Sequence, residues 1–157
     1  LDDMMETMYH ANGIGLAATQ IAIDKRLIVM DCGKTKYETQ NISEEEYDEK
    51  IKDEQFEPFP IKMINPEIIS LGKSLEEREE GCLSIPGYNA KIKRPSSLKV
   101  KYTDENKKDN IIDAEGLLAT CIQHEIDHLN GILFIDHLSK LKREIILKKA
   151  IKEYSKN

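Results

Sequence analysis

The stretch QHEIDHLNG (123–131) carries His124, Glu125 and His128 in the pattern His-Glu-x-x-His. On a helix, residues four apart share a face, so both imidazoles can reach one ion. Glu125 lies about 100° around the helix from His124. It borders the ligand face without occupying it. A carboxylate there can take a proton from a water activated by the ion, which is the arrangement of metal-dependent hydrolases. On the helical wheel Leu117, Cys121, His124 and His128 fall within about 60° of one another. The histidines thus sit on the apolar stripe, while Gln123, Asp127 and Asn130 face the other way. Two buried neutral histidines one turn apart would each need a hydrogen-bond partner. A shared metal satisfies both; the alternative is a pair of core histidines.

A third ligand must come from outside this helix. Cys121 shares the stripe, but it lies seven residues from His128, a rise of about 10.5 Å. Metal–ligand bonds are about 2.0–2.3 Å, so Cys121, His124 and His128 cannot all bind one ion on an intact helix. His10 and His137 sit in unremarkable contexts. Cys82 is better placed, in EEGCLSIPG, where Gly81 and Pro86–Gly87 mark an irregular stretch able to approach another element closely. A Cys82 that were merely a buried small apolar residue would need no such surroundings.

The elements that must position these residues are legible in outline. Residues 1–11 read as a helix, with Met4, Met5 and Met8 at helical spacing. Strands are predicted at 26–31, at 61–70 with an interruption near Pro66, and at 89–94, 97–103 and 110–116. The segment 74–80 is ambiguous. Helices are predicted at 116–129 and about 139–154. Strands in the middle with one helix inside and one at the end indicate an α+β fold: mixed or antiparallel strands around a central HExxH helix, with a C-terminal helix. The chain of 157 residues fits a single domain, 1–157. It starts at Leu1 within a helical pattern, which leads us to expect a truncated N-terminus.

Composition narrows the function. No apolar run approaches the roughly 18 residues of a membrane span. Cys32, Cys82 and Cys121 are few, odd in number and widely spaced, which argues against a disulfide scaffold and for a reducing compartment. The net charge is −6, and no basic stripe suggests dedicated DNA binding. Between Glu38 and Glu57, nine acidic residues face two lysines. The acidity therefore belongs to one segment, which reads as an exposed insertion over 38–57.

Three separated segments resemble the peptide deformylase family. GIGLAATQ (13–20) is similar to its Gly-x-Gly-Leu-Ala-Ala-x-Gln stretch, with Thr19 at a variable place. EGCLS (80–84) and QHEIDHLNG (123–131) are similar to its second and third motifs, in the family's order. The resemblance implies that Cys82, His124 and His128 are metal ligands and that Glu125 is the general acid/base. It implies that Gln20 and the backbone N–H of Leu83 stabilise the oxyanion. It also implies removal of the formyl group from the N-terminal methionine of nascent polypeptides, with release of formate. The implied cofactor is one divalent ion, Fe2+ in the native protein, for which Zn2+, Ni2+ or Co2+ can substitute. The implied location is the cytoplasm of a bacterial-type cell, organellar targeting being left open by the N-terminus.

Other residues are expected around that site. Leu117 and Cys121 can wall a pocket for the methionine side chain, and Ile14, Gly15 and Gly81 can offer backbone contacts to the peptide. Arg94 and Glu80 are expected to pair and brace the Cys82 segment. The terminal helix carries Lys140, Lys142, Arg143, Lys148, Lys149, Lys152 and Lys156, with Leu141, Ile145 and Ile151 as an apolar side. That pattern is either a solvated face or a transient contact with ribosomal RNA. Two rival readings remain. A zincin-type peptidase takes a third ligand downstream, but Phe134 stands where HExxHxxGxxH would place it. A non-catalytic interaction module with a structural metal would need a fourth protein ligand and would have no use for Glu125.

Overall fold

The computed structural model describes residues 1–33 and 58–155; the acidic 38–57 stretch lies outside these described residues. In chain order they form helix α1 (Asp2–His10), strand β1 (Gly15–Ala17), a 3-10 turn (Ala18–Ile21) and strands β2 (Leu27–Asp31) and β3 (Pro60–Leu71). Strands β4 (Leu75–Cys82), β5 (Ile85–Pro95), β6 (Ser97–Thr103) and β7 (Asp109–Glu115) follow. Helix α2 (Gly116–Leu129), a second 3-10 turn (Phe134–His137) and helix α3 (Lys140–Tyr154) complete them. Five strands pair antiparallel in the order β1-β2-β3-β6-β7, and β4 and β5 form a separate antiparallel pair. The α+β expectation holds.

Strand β2 shows why its sequence is a continuous apolar run. Side chains alternate between faces, and both faces are covered. Ile28 and Met30 pack with Met63, Val100, Ala119 and Ile122 of the α2 side, whereas Val29 packs with Met4, Met5 and Met8 of α1. The expected break near Pro66 is absent, because β3 absorbs it as register shifts against β6 between Ile64 and Glu67 and between Ile68 and Ser70. Proline is tolerated where the ladder is already irregular. The ambiguous 74–80 segment is a strand, and the stretch around Cys82 is less irregular than expected. It is a hairpin with a shift between Gly81 and Cys82, which pairs with Ile85.

Two side-chain assignments change. Gln123 does not face solvent: its Nε2 donates to Pro95 O at 3.0 Å and Ala119 O at 2.9 Å, because β5 covers that side of α2. On α3, Leu141, Ile145 and Ile151 are exposed. The packed side is Ile146, Leu147 and Ala150, which meets Ile85, Ile92, Phe134 and Ile135. Ile146 and Ala150 are one turn apart, so they and not the outward isoleucines form the stripe.

The α2 core should tolerate little loss of volume. Ile122 is fully buried, so Ile122→Ala should lower unfolding free energy by about 2–5 kcal/mol. Urea denaturation checks this, and a change within error would refute the close packing.

Candidate metal and hydrolytic site

Helix α2 presents His124 and His128 toward the β4–β5 hairpin. His124 and His128 Nε2 atoms are 3.1 Å apart, and Cys82 Sγ lies 3.1 Å from His128 Nε2. One donor atom from each of the three residues falls within 4.8 Å of the others. Bonds of about 2.0–2.3 Å to one tetrahedral ion would space its ligands by roughly this much. Cys121 is outside the set and contacts Ile14 O at 3.7 Å. His137 is also outside, donating from Nε2 to Asp127 Oδ2 at 2.7 Å. Among the described residues the cluster therefore has three protein donors, which leaves a coordination position open, unlike a closed structural site.

Buried charges behind the cluster hold it. Arg94 donates from Nε to Glu80 Oε1 at 2.6 Å and from Nη2 to Glu80 Oε2 at 3.0 Å. The expected pair thus forms and is bidentate. His124 Nδ1 lies 2.8 Å from the same Glu80 Oε2. A carboxylate on Nδ1 favours the tautomer whose Nε2 lone pair faces the cluster. Arg94 Nη1 also reaches Asp127 Oδ2 at 2.8 Å. Phe134 stacks on the His124 ring with centroids 6.4 Å apart.

The electrostatics follow from burial and partners. Burial alone would raise the Cys82 thiol, but hydrogen bonds with His124 and His128 overcome it and hold the thiol down to about 5. Burial would lower His124, yet Cys82 and Glu80 push it up to about 10. The two shifts are reciprocal, since each group favours the charged form of the other. Burial raises Glu125 to about 7, despite the opposing pull of His124 and His128. Its Oε2 is buried without a hydrogen-bond partner, a costly state outside a functional site.

Gln20 closes the other side. Its Oε1 accepts the Ala17 N–H at 2.8 Å, which turns the amide NH2 toward Cys82 Sγ at 3.5 Å and Ser84 Oγ at 3.0 Å. Gly15 is required by close approach: a Cβ there would lie 2.3 Å from Glu125 Oε1 and 2.9 Å from Cys121 Sγ. A cavity of about 420 Å³ joins these groups, bordered by Gln20, Cys82, Leu83, His124 and Glu125. Ile14, Gly15, Gly81, Leu117 and Cys121 line it too; of the residues expected to act as ligand, catalyst or pocket wall, only His128 is not in the lining, and it joins through the donor cluster. Ser84, Thr120, Tyr88 and Asn89 were missed. Gln20 reaches Ser84 across 64 residues of sequence, and only the nearness of Ser84 to Cys82 offered a signal.

The polypeptide deformylase family model matches residues 1–144. A peptide deformylase of Agrobacterium fabrum is 48% identical over 151 residues, which cover 96% of this chain and 78% of that protein. The crystal structure of peptide deformylase from Ehrlichia chaffeensis superposes with TM-score 0.81 at 40% identity, covering 99% of this chain and 81% of that one. A Met-Ala-Ser-bound class I type b peptide deformylase from Acinetobacter baumannii gives TM-score 0.68 at 32% identity, covering 86% and 76% of the two chains.

Arg94 is 5% exposed and pairs with two carboxylates, Glu80 and Asp127. Arg94→Met should cost about 3–5 kcal/mol by stranding buried charge. It should also weaken metal retention about 10–100-fold by freeing Glu80 from its orientation. Urea denaturation and competition with a chelator measure the two effects, and unchanged metal retention would detach the ion pair from the metal site.

Proposed function

The chain belongs to the peptide deformylase family, and from that premise we propose that Cys82, His124 and His128 hold its divalent ion while Glu125 moves the protons. The protein is an enzyme, a metal-dependent hydrolase that removes the N-formyl group from the N-terminal methionine of nascent polypeptides and releases formate. The observation that carries the residue roles is the three-donor cluster beside the unpartnered carboxylate oxygen of Glu125. We take the native ion to be Fe2+, with Zn2+, Ni2+ and Co2+ able to use the same thiolate and imidazole donors. Residues 1–157 are read as one catalytic domain with an acidic insertion at 38–57.

A divalent ion in this site supplies Lewis acidity and makes water nucleophilic near neutral pH. The protein's own groups do the rest. Glu125 accepts a proton as water adds to the formyl carbon, then returns it to the departing amine; a pKa near 7 suits both tasks. The Gln20 amide and the Leu83 N–H meet the developing oxyanion. Leu117 and Cys121 receive the methionine side chain, and Ile14, Gly15 and Gly81 guide the peptide backbone. Met-Ala-Ser, bound by the Acinetobacter relative, has the composition of a deformylated peptide of this kind.

Docking on the ribosome is part of the proposal. Helix α3 leaves Leu141 69% exposed among Lys140, Lys142, Lys148 and Lys149, a surface suited to phosphate contacts. No helix among the described residues is long and apolar enough to cross a membrane, and we place the enzyme in the cytoplasm, where nascent chains emerge.

The deciding experiment follows formate release from formyl-Met-Ala-Ser by anaerobically purified, Fe2+-loaded protein. The intact chain should turn over. Glu125→Gln should keep fold and metal and lose nearly all activity; a fully active variant would remove Glu125 from the proton transfer. The rate should decline as pH falls below about 7, because the base role requires ionised Glu125. Separately, replacing Lys140, Lys142, Lys148 and Lys149 with Glu should abolish co-sedimentation with ribosomes. Unchanged co-sedimentation would sink the docking surface.

A further inference from the structure

We propose that Thr19 is a positioning residue that locks the oxyanion donor Gln20 in register with the metal ligands. The proposal rests on the reading of Gln20 as that donor. Thr19 Oγ1 donates to the backbone carbonyl of His128 at 3.0 Å, across 109 residues of sequence. His128 lies in the last turn of α2, where carbonyls have no partner within the helix and are met from outside it. The His128 carbonyl also accepts the Gly131 N–H at 3.1 Å, so Thr19 adds a second donor to it, from the position next to Gln20.

The local chain shows why such a tie is needed. Gln20 sits on a four-residue 3-10 turn, Ala18–Ile21. The bonds from Ala22 N to Thr19 O and from Ile23 N to Ala18 O close the turn on itself. The bond from Ala17 N to Gln20 Oε1 fixes the side chain to its own backbone. None of these sets the distance from Gln20 to α2. Thr19 does, and Arg26 Nη1 donating to Asn130 Oδ1 at 3.0 Å fastens the chain farther along. Thr19 is not among the residues lining the cleft, so it acts through Gln20 and not on substrate.

Displacing a catalytic group by about 1 Å can cost up to 10²-fold in rate. Thr19→Val keeps the shape and removes the hydroxyl. It should lower kcat about tenfold, less than the roughly 10²–10³-fold loss expected for Gln20→Ala, with KM and bound metal per chain unchanged. Thr19→Ser, which keeps the donor, should restore kcat. In the Gln20→Ala background, Thr19→Val should cost less than about twofold, because contacting residues that act as one unit are non-additive. A merely structural Thr19 would give the same fold loss in both backgrounds, which overturns the proposal. So does an unchanged kcat in Thr19→Val, or a loss of metal, which would place the action of Thr19 on His128. Should Gln20→Ala itself keep full kcat, the donor reading falls first, and the proposal falls with it.

Discussion

The 2.8 Å contact between Glu80 Oε2 and His124 Nδ1 joins the two halves of the molecule. Glu80 belongs to the hairpin that carries Cys82, and His124 belongs to α2. A thiolate and two imidazoles converge only if hairpin and helix keep a fixed separation. Apolar packing alone cannot dictate tautomer or ring angle. A carboxylate on one ring nitrogen does both, since it selects which nitrogen carries the proton. Arg94 makes that carboxylate tolerable inside the protein. It forms two bonds with Glu80 and a third with Asp127, so the charge of Glu80 is matched where it is buried.

Two buried glutamates, 45 residues apart in sequence, reach opposite states for that reason. Burial pushes Glu80 upward, but His124 and Arg94 bring it below the ordinary carboxylate range. Glu125 has comparable burial without such a partner and rises to about 7. The first stays ionised and orients; the second can exchange a proton near neutrality. Environments that separate two like groups in this way assign their tasks. The unpartnered Oε2 of Glu125 is the structural counterpart: a hydrogen-bond donor there would stabilise the anion and make it a poorer base.

Local signals were the legible ones. The i, i+4 histidines follow from helix periodicity, and the bounds expected for α2, 116–129, coincide with Gly116–Leu129. Strands with alternating or continuous apolar runs were placed within a residue or a few. Spacing alone excluded Cys121 as a ligand, although Cys82 needed its turn-like context and the family resemblance. What escaped were contacts between distant segments. Gln123 looks solvent-facing on a wheel, because a wheel does not show that β5 lies against that face. His137 and Asp127 are paired by the turn that follows α2, and Thr19 finds its acceptor 109 residues away. On α3, apolar residues occur all round, so periodicity did not separate the packed Ile146, Leu147 and Ala150 from the exposed Leu141, Ile145 and Ile151.

The hairpin connects the site to the C-terminal helix. β4 and β5 do not join the five-stranded sheet, so their position depends on what packs against them. That packing is the cluster of Ile85, Ile92, Phe134 and Ile135, against which Ile146, Leu147 and Ala150 of α3 also pack. Phe134 lies in this cluster and against the His124 ring, so one apolar unit touches both the hairpin of Cys82 and His124. Helix α3 therefore has two faces with separate demands. Its inner residues support the hairpin that carries Cys82, while its outer residues present a charged surface. A change on the inner face reaches the Cys82 hairpin through packing, whereas on the outer face Arg143 pairs with Asp136 Oδ1 at 2.7 Å and so touches the turn that carries Phe134.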